Sequence, residues 1–118
     1  MKSIAAEMLE EFHLVFVPEG LDVRAIRKTL LAEEHREVQE ALEQGDRLQI
    51  AQELADLLYV AYGTALVYGI DLDAALAEVH RANMSKLGED GKPTLREDGK
   101  VLKGPNFKPP DMRLAIIN

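Results

Sequence analysis

Between residues 33 and 56 the chain reads EEHREVQEALEQGDRLQIAQELAD, and no other stretch restricts the fold as much. Glu33, Glu34 and Glu37 form E-E-x-x-E; after fifteen intervening residues Glu53 and Asp56 form E-x-x-D. At about 100° per residue, Glu33 and Glu37 stack one turn apart, Glu34 joins them, and Glu53 and Asp56 share the face of a second helix. Gly45-Asp46 lies between the two sets and reads as a helix stop followed by a helix start. The result is an antiparallel helical hairpin. Counted from the turn at ~1.5 Å per residue, Glu37 and Glu34 stand about 12 and 16 Å up the first arm, and Glu53 and Asp56 about 10 and 15 Å up the second. The carboxylates arrive at the same height.

Acidic residues at these spacings ordinarily mark a solvated face. Here Val23, Ile26, Leu30 and Ala41 define an apolar stripe with Glu33, Glu34 and Glu37 inside it or at its border, where charges are not normally placed. On the second arm Glu53 and Asp56 continue into Val60, Gly63 and Val67. Five carboxylates thus face half-buried ground with no Lys or Arg on the same faces, so a cation is expected. An all-oxygen donor set suits a hard ion, Mg²⁺ or Mn²⁺.

E-E-x-x-E, a gap and E-x-x-D in a helical hairpin resembles the all-α nucleoside triphosphate pyrophosphohydrolases, the MazG-like and phosphoribosyl-ATP pyrophosphohydrolase-like group. The resemblance covers four helices and reaches into the tail. It implies an antiparallel four-helix bundle and Mg²⁺-dependent cleavage of a nucleotide between the α and β phosphates, with Glu34, Glu37, Glu53 and Asp56 as metal ligands. Glu33 is then the candidate to orient or deprotonate the attacking water, or to hold a further ion. The base stays open, and phosphoribosyl-ATP is the alternative substrate within the fold. A non-catalytic nucleotide-binding oligomer is the alternative of another class.

A chain of 118 residues, 47% hydrophobic, is read as one domain, with a helical body over 1–87 and a Gly/Pro-rich tail over 88–118. The absence of cysteine rules out disulfides and thiolate metal sites and suits a reducing cytoplasm. The acidic N-terminus MKSIAAEMLEEF does not read as a signal peptide, and no apolar run reaches a membrane span. A net charge of −7 argues against general nucleic-acid binding. It is unevenly spread: residues 1–85 carry 7 basic and 16 acidic side chains, residues 86–118 carry 7 and 5. An acidic body with a basic tail suits a metal-dependent phosphate enzyme.

Along the chain, Ser3 caps a first helix with Ile4, Met8, Phe12 and Phe16 at four-residue steps, ending before Pro18. Phe12 and Phe16 are expected in the core, and the resemblance puts the base near His13. Glu10 and His13 form an E-x-x-H, but di-iron bundles need two such motifs and only one is present. Asp22 is expected to cap the second helix, to about Gln44, and Asp46 the third, to Tyr68 and Gly69. The latter half of the third helix is apolar all round, which calls for a partner subunit in a homodimer or homotetramer.

Asp71 caps a fourth helix whose stripe is Leu72, Leu76 and Val79, followed by Asn83-Met84-Ser85-Lys86. N-x-x-K is similar to the MazG-like pattern in which the asparagine and lysine face the triphosphate. Beyond Gly88, Asp98-Gly99 between Thr94-Leu95-Arg96 and Val101-Leu102-Lys103 predicts a hairpin with a two-residue turn and Glu97 facing Lys100. The following Pro-rich run is expected to be extended. Relatives of this group carry similar tails, which makes Lys100 and Lys103 candidate phosphate contacts. No glycine-rich phosphate loop is present, and no nucleophilic Cys, so direct attack by water is expected.

Overall fold

The structure is a computed structural model that describes all 118 residues. It is all-α apart from one small hairpin: α1 (Ile4–Phe16), α2 (Arg27–Gln44), α3 (Arg47–Val67), α4 (Leu72–Met84), then β1 (Thr94–Leu95) and β2 (Val101–Leu102). Two compact units divide the chain, Met1–Ile70 with Asn118, and Asp71–Ile117. No helix is long and apolar enough to cross a membrane.

In the first unit, local chemistry sets each helix end. The Ser3 hydroxyl accepts from Ala6 N at 3.1 Å, and the Asp46 carboxylate accepts from Leu48 N at 3.0 Å. Gly45 takes the left-handed conformation, φ 77°, in which its amide reaches Ala41 O at 3.0 Å and closes α2. A residue with a Cβ resists that conformation, so the hairpin turns here. Asp22 behaves differently from the expected helix cap. It accepts from Arg24 N at 3.0 Å and grips the Arg24 guanidinium, which winds Arg24–Ile26 into a 3₁₀ turn. The α-helix therefore starts only at Arg27.

α2 packs on α3 along Arg27, Leu30, Leu31, Glu34, Val38 and Ala41, while α1 lies on α3 through buried Leu9. The expected α1 stripe faces outward instead: Phe12 is 38% exposed and Phe16 68%. Leu9 occupies the inner face, and the Phe12 ring meets Tyr59 of α3 edge-on at 5.5 Å. Within this one chain α3 is not covered on every side, since Leu54, Leu58 and Leu66 stay exposed.

In the second unit Asp71 caps α4 by accepting from Ala74 N at 3.0 Å. Its buried face is alanine, Ala75 and Ala82, rather than the expected Leu76 and Val79, which are exposed. Small residues are selected because the tail backbone runs close along the helix. Ser85 Oγ accepts from Lys108 N at 3.0 Å, Arg81 Nη2 donates to Pro109 O at 3.0 Å, and Glu78 accepts from Asp111 N at 3.0 Å. Gly104 donates to Lys86 O, and a Cβ there would sit 2.2 Å from Leu87 O. Only glycine fits that approach. A short 3₁₀ turn, Met112–Ala115, returns the chain to the start of α4, where Asp71 N donates to Ala115 O at 2.7 Å.

The hairpin register departs from the two-residue turn. Leu95 pairs with Val101 and Arg96 N donates to Lys100 O, so the loop is Glu97-Asp98-Gly99, with Gly99 at φ 90°. Arg96, not Glu97, stands opposite Lys100. The Arg96–Asp98 ion pair inside the turn favours the longer loop.

Candidate metal centre

Glu34 and Glu37 project from α2 and Glu53 and Asp56 from α3, and each supplies one carboxylate oxygen to a set whose members all lie within 4.8 Å of one another. The hairpin turn at Gly45-Asp46 sets this meeting, since the two pairs stand at matching heights above it. Glu53 is only 8% exposed; Glu34, Glu37 and Asp56 are half-buried. Gln49, one turn before Glu53, donates to Glu53 Oε1 and holds that carboxylate in place. The other oxygen, Glu53 Oε2, and Glu34 Oε2 are buried with no hydrogen-bond partner.

The electrostatics follow from this crowding. Burial pushes the Glu34 carboxyl above its ordinary pKa, and the charges of Glu37, Asp56 and Glu53 push the same way. Burial likewise raises Glu53, reinforced by Glu37 and opposed by the Gln49 hydrogen bond. Buried acceptors without partners are rare because their desolvation is uncompensated. Four converging carboxylates with two such oxygens fit a hard divalent cation, which would take oxygen ligands and cancel the repulsion.

A model of the phosphoribosyl-ATP pyrophosphohydrolase family matches residues 1–83. The chain belongs to the phosphoribosyl-ATP pyrophosphohydrolase family. No curated protein matches it. Membership makes this protein a pyrophosphohydrolase acting on a nucleotide, and enzymes of the phosphoribosyl-ATP pyrophosphohydrolase family are typically metal-dependent.

The other residues singled out from the sequence are distributed as follows. Glu33 is exposed and stands outside the quartet, so four rather than five carboxylates converge. One residue before Glu34, it is turned by about 100° away from the α3-facing side. His13, half-buried on α1, brings Nε2 against Gly63 of α3 and lines a cavity of about 450 Å³ with Val17, Leu21, Val23 and Val67. Burial, and then the neighbouring Arg27 charge, lower its pKa from 6.5. Asn83, Lys86, Lys100 and Lys103 belong to the second unit. Asn83 is exposed on α4, and Lys86 follows the helix, its amide bonded to Asn83 O at 3.1 Å. Lys100 and Lys103 are exposed on the hairpin, and Lys103 Nζ sits 4.9 Å from the centre of the Phe107 ring, a cation–π contact.

Sequence reasoning passed over Arg27 and Gln49 and took Gly63 only as part of an apolar face, and the expectation that no Lys or Arg shares the carboxylate faces fails at Arg27. Arg27 carried a signal: seven residues before Glu34, it falls on the same helical face and is buried there, 8% exposed. Gly63 carried another, as a lone glycine within an otherwise apolar helix.

Proposed function

We propose that the protein is a Mg²⁺-dependent nucleoside triphosphate pyrophosphohydrolase, cleaving its substrate between the α and β phosphates to a monophosphate and pyrophosphate. The observation that carries this reading is the quartet of Glu34, Glu37, Glu53 and Asp56, each offering an oxygen within 4.8 Å of the others, with Glu34 Oε2 and Glu53 Oε2 buried without partners. These four residues hold the cation. When bound, Mg²⁺ (or Mn²⁺ in its place) supplies Lewis-acid polarisation and a template for the phosphate oxygens. Glu33, exposed beside the quartet, orients or deprotonates the attacking water. The water oxygen bonds to phosphorus as the bond from phosphorus to the bridging oxygen breaks, and pyrophosphate leaves with that electron pair. We assign Asn83, Lys86, Lys100 and Lys103 to the charge developing on pyrophosphate, and His13 to the base. The whole chain, 1–118, works as one domain in this reading.

The description of the matching family favours phosphoribosyl-ATP as a second substrate reading. The match ends at residue 83, however, and all three of the basic side chains assigned to the triphosphate lie beyond it. The exposed Phe12, Phe16, Leu54, Leu58 and Leu66 support a homodimer or homotetramer, and the cysteine-free composition supports the cytoplasm. The test is a panel of common and damaged nucleoside triphosphates and phosphoribosyl-ATP incubated with Mg²⁺, with products resolved as monophosphate, diphosphate, phosphate and pyrophosphate. Monophosphate and pyrophosphate from a triphosphate are expected. Binding without turnover would leave a nucleotide sensor, and turnover confined to phosphoribosyl-ATP would establish the second reading.

A further inference from the structure

Two turns along α2 from Glu34, the Arg27 side chain crosses to α3. Its Nη2 donates to Val60 O at 2.9 Å and its Nε to Thr64 Oγ1 at 3.1 Å, while the Thr64 hydroxyl itself donates to Val60 O at 2.7 Å. These three groups form a closed polar knot beside Gly63, which the buried Leu9 of α1 also approaches. No carboxylate pairs with this cation; burial alone moves its pKa, downward. A buried unpaired guanidinium is costly, and an apolar side chain of similar volume is commonly the more stable solution. Its presence calls for a role other than stability.

We infer that Arg27 is a positioning residue for the carboxylate quartet, a reading that rests on the metal function proposed above. Apart from Gly63 and Thr64, the latter half of α3 is built from Leu, Val, Ala and Tyr, side chains that distinguish poorly between neighbouring helical registers. A slip of one residue shifts a helix by ~1.5 Å and turns it by about 100°, which would carry Glu53 and Asp56 off the face opposite Glu34 and Glu37. The Gly45-Asp46 turn sets the register at one end of the hairpin, and the knot resists slip at the far end, because only one alignment presents Val60 O and Thr64 Oγ1 together to the fork. Its place is suitable: Arg27 shares its face with Glu34, and Val60 lies one turn beyond Asp56. The hairpin also has something to resist, since the crowded carboxylates push α2 and α3 apart when no cation joins them.

Gly63 makes the crossing possible. A Cβ at that position would lie 2.8 Å from Arg27 Nη2 and 3.2 Å from His13 Nε2. Thus the one glycine of α3 stands where the guanidinium passes over the helix.

Arg27→Met keeps most of the volume and removes the fork. Val60 O still accepts from Thr64 Oγ1, so only that hydroxyl loses a donor, and the variant is expected to fold. Thr64→Val, close to isosteric, removes the second acceptor. Mn²⁺ affinity is measured by electron paramagnetic resonance at a temperature where circular dichroism shows each protein folded. The Mn²⁺ dependence of pyrophosphate release is followed in parallel. Relative to the parent, Arg27→Met is expected to weaken Mn²⁺ binding tenfold or more, Thr64→Val several-fold, and Arg27→Lys less than Arg27→Met. Saturating Mn²⁺ should recover kcat, a pattern that loss of stability alone does not produce. Affinity within twofold of the parent in the folded variants, with only the melting temperature lowered, overturns the inference; Thr64→Val decides alone if Arg27→Met fails to fold. If the parent binds no Mn²⁺, the metal reading itself falls, and the positioning role with it.

Discussion

Replacing Gly63 by alanine sets two well-characterised effects against each other. Gly63 lies within the 21-residue α3 at an ordinary helical φ, so its backbone does not require glycine. Helix propensity alone therefore favours alanine by about 1 kcal/mol. Against this, the added methyl would sit 2.8 Å from Arg27 Nη2, 3.2 Å from His13 Nε2 and 3.4 Å from Leu9 Cδ1. The first distance requires movement. Arg27 is at the end of a flexible side chain, but its Nη2 and Nε are held by Val60 and Thr64 at 2.9 and 3.1 Å. Retreat costs a hydrogen bond from a charged donor, about 1.5–3 kcal/mol, and overpacking elsewhere costs a similar 1–3 kcal/mol. Repulsion prevails: Gly63→Ala is expected to destabilise the fold by about 1–2 kcal/mol. At the entropy of unfolding of a chain this size, that lowers Tm by roughly 4–8 °C. Urea and thermal unfolding at fixed protein concentration measure it. In an Arg27→Met background the guanidinium is gone, and the same substitution should cost much less or become neutral, a coupling that a double-mutant cycle reads directly. A rise of several degrees on Gly63→Ala in the parent would refute the reasoning, for it would mean that propensity governs and the guanidinium is not held.

Glu53→Gln should abolish turnover and the stabilisation on adding Mg²⁺, which for a ligand at a hundred times its Kd is about 2.7 kcal/mol in the parent and is read as a rise in Tm. Because Glu53 has its folded pKa raised, its stabilising contribution in chelator is complete below the ordinary carboxylate pKa and is lost as pH rises through the folded value. Glu53→Gln should thus melt higher than the parent at neutral pH without metal, and a lower Tm there would count against a crowded quartet. His13 has its pKa lowered, so its contribution is present above 6.5 and lost as pH falls through the folded value. Its NMR titration should have a midpoint below 6.5 that moves up in Arg27→Met, and an unmoved midpoint would remove the Arg27 contribution. Lys103→Ala should raise KM or lower kcat with Tm nearly unchanged, since the side chain is exposed; kinetic silence would withdraw its assignment to phosphate. Sedimentation at micromolar concentration should give at least twice the 13.1 kDa of one chain, and a monomer mass would leave the apolar faces of α1 and α3 unexplained.

The sequence by itself determined the features that arise within a few residues. Ser3, Asp46 and Asp71 cap their helices because a short side-chain oxygen reaches an amide two or three positions on. Gly45 ends α2 because only a left-handed residue closes it there. The convergence of Glu34, Glu37, Glu53 and Asp56 was legible for a related reason, as helical rise counted from one tight turn is a local sum. Tertiary structure decided whatever depended on which neighbour a face meets. Glu33 and Glu34 are adjacent in sequence, yet only the packing of α2 on α3 separates the exposed one from the one in the quartet. Ile4, Met8, Phe12 and Phe16 repeat as a core stripe should, but the space against α3 is taken by Leu9 and the stripe faces outward. The loop at Asp98-Gly99 lengthened because the Arg96–Asp98 ion pair competes with the shorter turn. Arg27 shows the difference most clearly. Its charge predicts a solvated side chain, and only a carbonyl and a hydroxyl on another helix, across a gap left by glycine, make its burial tolerable.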